Sequence, residues 1–309
     1  MTKQTMPDHH HPLPVSQKPV LRFAPSPNGY LHLGHALSAL INADMAEATG
    51  GRLLLRIEDI DIDRCTPEFE AAIYEDLAWL GVAWEHQVRR QSEHIDAYRS
   101  ALAKLQAMNL VYPAFLSRAE IKRQAQTAEA QGKVWPHDPD GAWHYPANER
   151  QMDRHLTQQR IDRGERHSLR LDTGKALSMV GGNLHWEERQ DDTVRQIDAD
   201  PTIWGDVILW RWDAPSSYHL SVVVDDALQG VTHVVRGEDL YQATAVHRLL
   251  QSLLGLPAPT YTHHRLMMGE DGRKLSKSLQ SAGLRHLRAD GLSPLDIRRL
   301  VGIAVRHSP

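Results

Sequence analysis

The sequence predicts an α/β protein built on a parallel sheet with helices on both faces. Two observations carry that prediction. Between Val20 and Ile57 an apolar run, a turn, a helix-periodic segment and a second apolar run follow one another, the order of a strand–helix–strand unit. Short apolar runs and a periodic helix return between Asp206 and Leu254. A long polar stretch between these halves reads as an insertion.

Val20–Ala24 is apolar apart from Arg22 and reads as a buried strand; Pro25-Ser26-Pro27-Asn28-Gly29 breaks it, because proline and glycine punctuate turns. Leu33, Leu37, Leu40, Ile41 and Met45 recur at helical spacing, and Gly50-Gly51 stops them. Leu53–Ile57 is the second strand. Thr66-Pro67-Glu68 supplies a cap, a first-turn proline and an acid at a helix start. Phe69, Ile73, Leu77 and Leu80 form the apolar face of that helix, and Gly81 ends it. Ser92 opens another, with Ile95, Tyr98, Leu102 and Leu105 facing inward. From Pro113 to Pro201 the chain is rich in Arg, Gln, His and Asp. Asp206–Trp210, Tyr218–Val224 and Val231–Val235 read as further strands. A helix through Val246, Leu249, Leu250, Leu253 and Leu254 ends at Gly255.

Composition bounds the function. The 309 residues are 41% hydrophobic and 24% charged, ordinary for a globular chain. No apolar run approaches the roughly 18–20 residues of a membrane span. The net charge of −4 excludes an overall basic field, so any nucleic-acid contact is a local patch. Residues 1–19 are polar, hold His9-His10-His11 and four prolines, and read as a disordered leader without a secretion signal. The one cysteine, Cys65, excludes an internal disulfide and a cysteine-based zinc site, fits a reducing cytoplasm, and is expected to be a solvated bystander.

The chemistry-bearing residues form two groups. His32 and His35 fall in the first turn of the first helix, where backbone amides and the helix dipole already favour anions; two imidazoles there suit phosphate oxygens, and Gly34 leaves room for a flat base. Lys274 and Lys277, with Ser276 and Ser278, suit a loop that closes over a pyrophosphate leaving group. Either group alone also reads as a capped helix or a solvated basic loop. Together they indicate ATP chemistry shared by two halves of one fold. Arg22, Ser26, Glu58, Tyr218 and Arg236 lie at or just beyond predicted strands, where open α/β sheets bind ligands. Glu58 suits an ammonium, and Arg22 and Arg236 suit carboxylates, a set that fits a dicarboxylic amino acid. The acids of Asp59–Asp63, Asp225-Asp226 and Glu238-Asp239 read as solvated faces, with a metal site as the lesser alternative.

These residues carry a resemblance. Arg22–His35, Arg56-Ile57-Glu58-Asp59, Tyr218–Asp226 and His233–Asp239 resemble the ordered motifs of class I aminoacyl-tRNA synthetases in their glutamyl form, and Lys274–Ser278 resembles the second class I signature. The match runs from about Leu21 to Ser278. It implies a Rossmann catalytic domain with a connective insertion, and an ATP-dependent ligase that forms glutamyl-adenylate. Carried over, His32, Gly34, His35 and Lys277 hold ATP with Mg2+. His32, His35, Lys274 and Lys277 stabilise the charge that moves. Arg22, Phe23, Ala24, Pro25, Ser26, Glu58, Tyr218 and Arg236 hold glutamate.

The expected division is a leader at 1–19, catalytic halves at 20–112 and 202–282, an insertion at 113–201 and a short helical tail at 283–309. So short a tail leaves no room for the anticodon-binding region of a glutamyl-tRNA synthetase. The pattern is similar to the truncated paralogue family, the glutamyl-Q tRNA(Asp) synthetases, as is Val222–Asp226 after Tyr218. That resemblance implies transfer of glutamate to the queuosine base in the anticodon of tRNA(Asp). Ordinary glutamyl-tRNA synthesis, ligation to a small acceptor, and a catalytically silent tRNA-binding module are the alternatives. Members of the paralogue family often bind zinc through three cysteines and a tyrosine. Here Ala114, Leu116, Pro139 and Trp143 stand at those positions, so no structural zinc is expected, an apolar replacement with Trp135 and Trp143 packed in is favoured, and His137, Asp138 and His144 are the remote alternative. Arg118, Lys122, Arg123, Arg285, Arg288, Arg298 and Arg299 read equally as RNA contacts and as solvated faces. A cytoplasmic protein is expected; nothing fixes its oligomeric state, and a monomer is the expectation.

Overall fold

The computed structural model describes residues 18–190, 193–268 and 283–304. Nearly all of the expected leader, and both Lys274 and Lys277, lie outside the described residues.

The first half follows the predicted pattern. Strand β1 (Val20–Phe23) is wholly buried. Helix α1 (Leu33–Thr49) ends where Gly50 takes a φ of 60° and its backbone N–H turns back to the last carbonyls, a conformation glycine adopts without steric cost. Strand β2 (Arg52–Ile57) lies parallel to β1, with Leu53 opposite Leu21. Thr66 caps α2 (Pro67–Trp79), its hydroxyl accepting from the Phe69 amide at 3.3 Å. A short strand β3 (Arg89–Arg90) extends the sheet beside β2. Ser92 sits in a single 3-10 turn before α3 (Ile95–Ala107).

The remaining elements are β4 (Val111–Ala114), α4 (Arg118–Ala130), α5 (Arg154–Asp162), β5 (Ser168–Leu171), α6 (Thr173–Val180), β6 (His185–Gln190), β7 (Thr193–Asp198), β8 (Ile208–Trp210), α7 (Tyr218–Leu228), β9 (His233–Gly237), α8 (Ala243–Leu254), β10 (Thr260–His264), α9 (Leu284–Ala289) and α10 (Pro294–Leu300). Strands β9 and β10 are parallel neighbours, and β10 continues to β6 and β7. The Thr232 amide bonds the Val20 carbonyl at 2.9 Å, so β9 abuts β1 and the two strand groups meet there.

Three expectations change. Tyr218–Val224 is helical: Ser217 caps α7 and Leu220, Val222, Val223 and Val224 are all buried. A helix buried around much of its circumference reads as an unbroken apolar run, and periodicity alone cannot separate it from a strand. The strand at Asp206–Trp210 forms at β8, but it pairs antiparallel with β5 and not with the parallel sheet. The polar segment 113–201 is not wholly apart from that sheet, because β6 joins it through the pair Tyr261–Glu188 and β7 pairs with β6. These strands expose much of their length, so their sequence lacks apolar runs.

One core cluster fills the space between β1, β2, α1 and α2, and takes Leu284, Ile297 and Val301 from the tail, each 0% exposed. Each such side chain contributes about 1.5–3 kcal/mol on burial. A second cluster joins α3, α7 and α8. The tail is also held by charge. Arg298 pairs with Asp44 of α1. Arg288 reaches Glu75 at 3.2 Å and the fully buried Asp76 at 3.5 Å.

Asp76 makes the stability sensitive to pH. Burial pushes its carboxyl up to about 6, and Arg288 offsets this only in part. The folded protein therefore holds that proton more tightly than the unfolded chain. The resulting stabilisation is full below the unfolded carboxyl range and is lost as pH rises through about 6. Asp76→Asn is expected to raise stability by about 1–2 kcal/mol at pH 7.5, with the difference closing near pH 4. Urea unfolding at both pH values measures it; equal effects at the two would contradict it.

Candidate active site

The carboxyl ends of β1, β2 and β9 and the first turns of α1 and α7 surround a cavity of about 740 Å³. Its lining includes Arg22, Phe23, Ala24, Pro25, Ser26 and His32. Gly34, His35, Glu58, Tyr218 and Arg236 complete the predicted set. Every predicted site residue that is described therefore borders one cavity. Tyr218 arrives there from the start of α7, not from a strand end.

At the start of α1 the two histidines cap the helix with each other. The Gly34 amide donates to His32 Nδ1 at 3.0 Å, and the His32 amide donates to His35 Nδ1 at 3.1 Å. Both Nδ1 atoms act as acceptors, so a neutral ring carries its proton on Nε2. The centroids are 3.9 Å apart. Capping and phosphate binding are thus compatible, since the cap leaves Nε2–H as the donor beside the positive end of the helix. Gly34 is required by the cap itself: a Cβ there would lie 2.9 Å from His32 Cε1.

Beneath the amino-acid side of the cavity lies a buried ionic network. Arg56, 0% exposed, donates to Asp226 at 2.7 Å, to Gln229 at 3.0 Å and to Glu58 at 3.1 Å. Arg22 donates to the same Asp226 oxygen at 3.2 Å and to the Val235 carbonyl at 3.2 Å. Asp225 accepts from Arg89 at 2.7 Å, from Gln91 at 2.8 Å and from the Tyr98 hydroxyl at 2.9 Å. Three arginines thus face three carboxylates, as buried charges require. Asp225 and Asp226 are 0% and 5% exposed, which corrects their reading as solvated acids.

The network sets the charge of the cavity floor. Burial acts to raise the Asp226 carboxyl, but Arg56 and Arg22 outweigh it and hold it below the usual range. Burial raises the Glu58 carboxyl, and Arg56 and Arg22 recover only part of that. A ligand ammonium beside Glu58 would favour its charged form and be held by it. Burial also raises the Tyr218 phenol, so it stays a neutral donor.

Arg236 is 5% exposed. Its guanidinium donates to Thr244 at 2.7 Å, His247 Nδ1 at 3.0 Å, His263 Nε2 at 3.2 Å, the Leu240 carbonyl at 3.2 Å and the Tyr218 hydroxyl at 3.4 Å. The longest of these bonds runs to Tyr218, which itself lines the cavity.

Ser26, Asn28, Glu58, Arg64 and Tyr218 also border a second cavity of about 750 Å³. It opens toward the insertion, past Arg118, Lys122, Trp143, Tyr145, Arg170 and Arg211. Cys65 lies beside this junction, 3.6 Å from the Ser26 hydroxyl, and is half-buried rather than solvated. In the insertion, Ala114, Ile121 and Tyr145 form an apolar cluster with Leu116 and Trp143 against it. Trp135 Nε1 bonds the His144 carbonyl at 3.0 Å, and His144 Nε2 bonds the Ile203 carbonyl at 3.0 Å. Asp138 Oδ1 accepts from the Asp140 and Ala142 amides. Of the alternative donors, Asp138 Oδ1 and His144 Nε2 meet backbone groups, and the His137 ring lies 5.2 Å from that of Trp143.

Sequence reasoning gave no part in a buried network to Arg56, Asp225 or Asp226, and no role to the histidines around Arg236. A signal for the first existed: an arginine inside the apolar run Leu53–Ile57 requires a buried carboxylate. The histidines lie on α7, α8 and β10, and only the fold brings them to Arg236.

The family model for tRNA synthetases of class I (E and Q), catalytic domain, matches residues 18–303. A glutamyl-Q tRNA(Asp) synthetase of Rhodobacter capsulatus is 46% identical over 92% of this chain and 100% of its own length. Glutamate–tRNA ligase 2 of a Methylobacterium species is 39% identical over 89% of this chain, which spans 58% of that ligase. Among solved structures, a glutamate tRNA ligase from Elizabethkingia meningosepticum in complex with its amino acid superposes with a TM-score of 0.73 at 25% identity, over 92% of this chain and 60% of that one. The family model spans nearly the whole described chain, and the chain belongs to the class I tRNA synthetases of the E and Q type, a family of ATP-dependent ligases.

Proposed function

We propose that this protein activates L-glutamate with ATP, without tRNA, and transfers the glutamyl group to the queuosine base in the anticodon of tRNA(Asp). The observation that carries this reading is one shared cavity, with anion donors at α1 and an amino-acid floor of Arg22, Glu58, Tyr218 and Arg236. Identity to the R. capsulatus protein along its whole length supports the choice of acceptor. The protein acts in the cytoplasm as a monomer, and the insertion is held by its apolar cluster, without zinc.

Glu58 holds the glutamate ammonium, and Arg22 and Arg236 hold carboxylates. A glutamate carboxylate oxygen attacks the α-phosphorus of ATP, and the bond to the β,γ-pyrophosphate breaks. His32 and His35 donate from Nε2 to phosphate oxygens, and Lys274 and Lys277 neutralise the leaving pyrophosphate. Positioning and charge stabilisation suffice, with no covalent enzyme intermediate. Mg2+ would be held by the ATP phosphates, where it would neutralise part of their charge. A queuosine hydroxyl, entering by the second cavity, then attacks the glutamyl carbonyl and releases AMP.

Glutamate-dependent ATP–pyrophosphate exchange is expected without tRNA; its absence would overturn the enzyme reading. Labelled glutamate should pass to tRNA(Asp) that carries queuosine and not to queuosine-free tRNA(Asp). Equal charging of both, or charging of tRNA(Glu) at its 3′ end, would favour an ordinary glutamyl-tRNA synthetase.

Lys277→Ala is expected to slow adenylate formation about 10²–10³-fold with glutamate affinity nearly unchanged, as read by exchange and calorimetry. Full activity of the variant would remove the role given to that lysine.

A further inference from the structure

We infer that His247 and His263 are positioning residues that hold the Arg236 guanidinium between them as neutral acceptors, and so set the affinity for glutamate. This rests on the reading of Arg236 as a carboxylate-binding residue.

Hydrogen-bond direction fixes the chemistry. A guanidinium has only donors, so each ring nitrogen facing Arg236 must accept. His247 Nδ1 lies 3.0 Å from Arg236 and therefore bears no proton. Its proton sits on Nε2, which faces His219 Nδ1 at 3.2 Å. His263 Nε2 accepts from Arg236 at 3.2 Å, so its proton sits on Nδ1, 2.9 Å from a Glu188 oxygen. Glu188 is held in turn by the His263 amide at 3.0 Å and by Trp186 Nε1 at 3.0 Å. The result is two relays of donors that run outward from Arg236, one through His263 to Glu188 and one through His247 to His219. Thr244 closes the bracket on the remaining side at 2.7 Å.

The surroundings keep both rings neutral. Burial, then Arg236, lowers His247 well below its ordinary value, with His219, Arg22 and His263 adding to the effect. Burial lowers His263 as well, although Glu188 pulls the other way. The His263–Glu188 contact is accordingly a neutral N–H donating to a carboxylate, not a salt bridge. His219 is lowered to about 4 by burial and Arg236. Four donor sites of Arg236 are thereby fixed in direction by Thr244, His247, His263 and the Leu240 carbonyl, and the fifth, toward Tyr218, makes the longest bond and borders the cavity. Preorganisation of this kind lowers the ordering cost of binding.

Two measurements test it. In glutamate-dependent exchange, His247→Ala should raise KM for glutamate about ten- to hundredfold, leave KM for ATP unchanged and change kcat less. His247→Asn, which returns an acceptor near Nδ1, should recover most of the loss. A folded His247→Ala protein with wild-type KM for glutamate would overturn the inference. So would a loss that Asn does not reduce. Independently, a two-bond 1H–15N imidazole spectrum of the wild-type protein at pH 7 should show His263 protonated on Nδ1 and His247 on Nε2. A cationic ring, or the opposite tautomer at either, would overturn the bracket. If the wild-type protein shows no glutamate-dependent exchange, the proposed function fails, and the tautomers still decide the bracket.

Discussion

Asp225 and Asp226 sit side by side on α7, inside the protein, and between them they engage Arg22, Arg56 and Arg89. Those arginines come from β1, β2 and β3, so one pair of carboxylates ties the first half of the sheet to a helix of the second. The arrangement is costly to build, because taking charges out of water costs several kcal/mol per ion. It holds because each charge meets an opposite one and keeps hydrogen bonds to neutral partners such as Gln91, Tyr98 and Gln229. Breaking one member would leave its partners buried and unpaired, at a cost of about 3–5 kcal/mol.

The same network prepares the cavity for its ligand. Arg22 and Arg56 are fixed by Asp226, and Arg56 in turn positions Glu58 at the cavity wall. Arg236 stands apart from the dyad and is steadied by neutral groups instead. The floor therefore offers one carboxylate to an ammonium and a surplus of guanidinium charge to carboxylates, the complement of a dicarboxylic amino acid. The phosphate side works differently. It uses backbone amides, a helix dipole and two imidazoles whose tautomers are set by capping. In the proposed function the amino acid is read by fixed charge and ATP by oriented donors; Ser26 and Glu58 border both cavities.

Much of this was legible in the chain. The βαβ unit and its caps follow from local patterns: Gly50, Thr66-Pro67 and the spacing of Leu33 to Met45 each specify local geometry, while the residues around the cavity came from strand ends and the family resemblance. The helix α7 did not, because burial around its circumference erased the period that separates helix from strand. Its two aspartates were misread for the same reason, since acids after an apolar run resemble the solvated end of a strand. The Arg236 bracket was not legible at all, because its histidines lie 11 and 27 residues away from Arg236 on two further elements. The cluster in the insertion falls between these cases. Apolar packing with Trp135 and Trp143 was expected there; Leu116 and Trp143 do pack on Ala114, whereas Trp135 lies outside that cluster and bonds the His144 carbonyl instead.

Calorimetric titration of L-glutamate into the wild-type protein and into Asp226→Asn, with folding verified by circular dichroism, tests most directly whether the buried dyad creates the amino-acid site. The variant keeps shape and hydrogen-bonding capacity but removes the charge that positions Arg22 and Arg56. A fall in affinity of about tenfold or more, with the fold retained, is the expected result. Unchanged glutamate affinity in a folded Asp226→Asn protein would contradict the dependence of the site on that dyad.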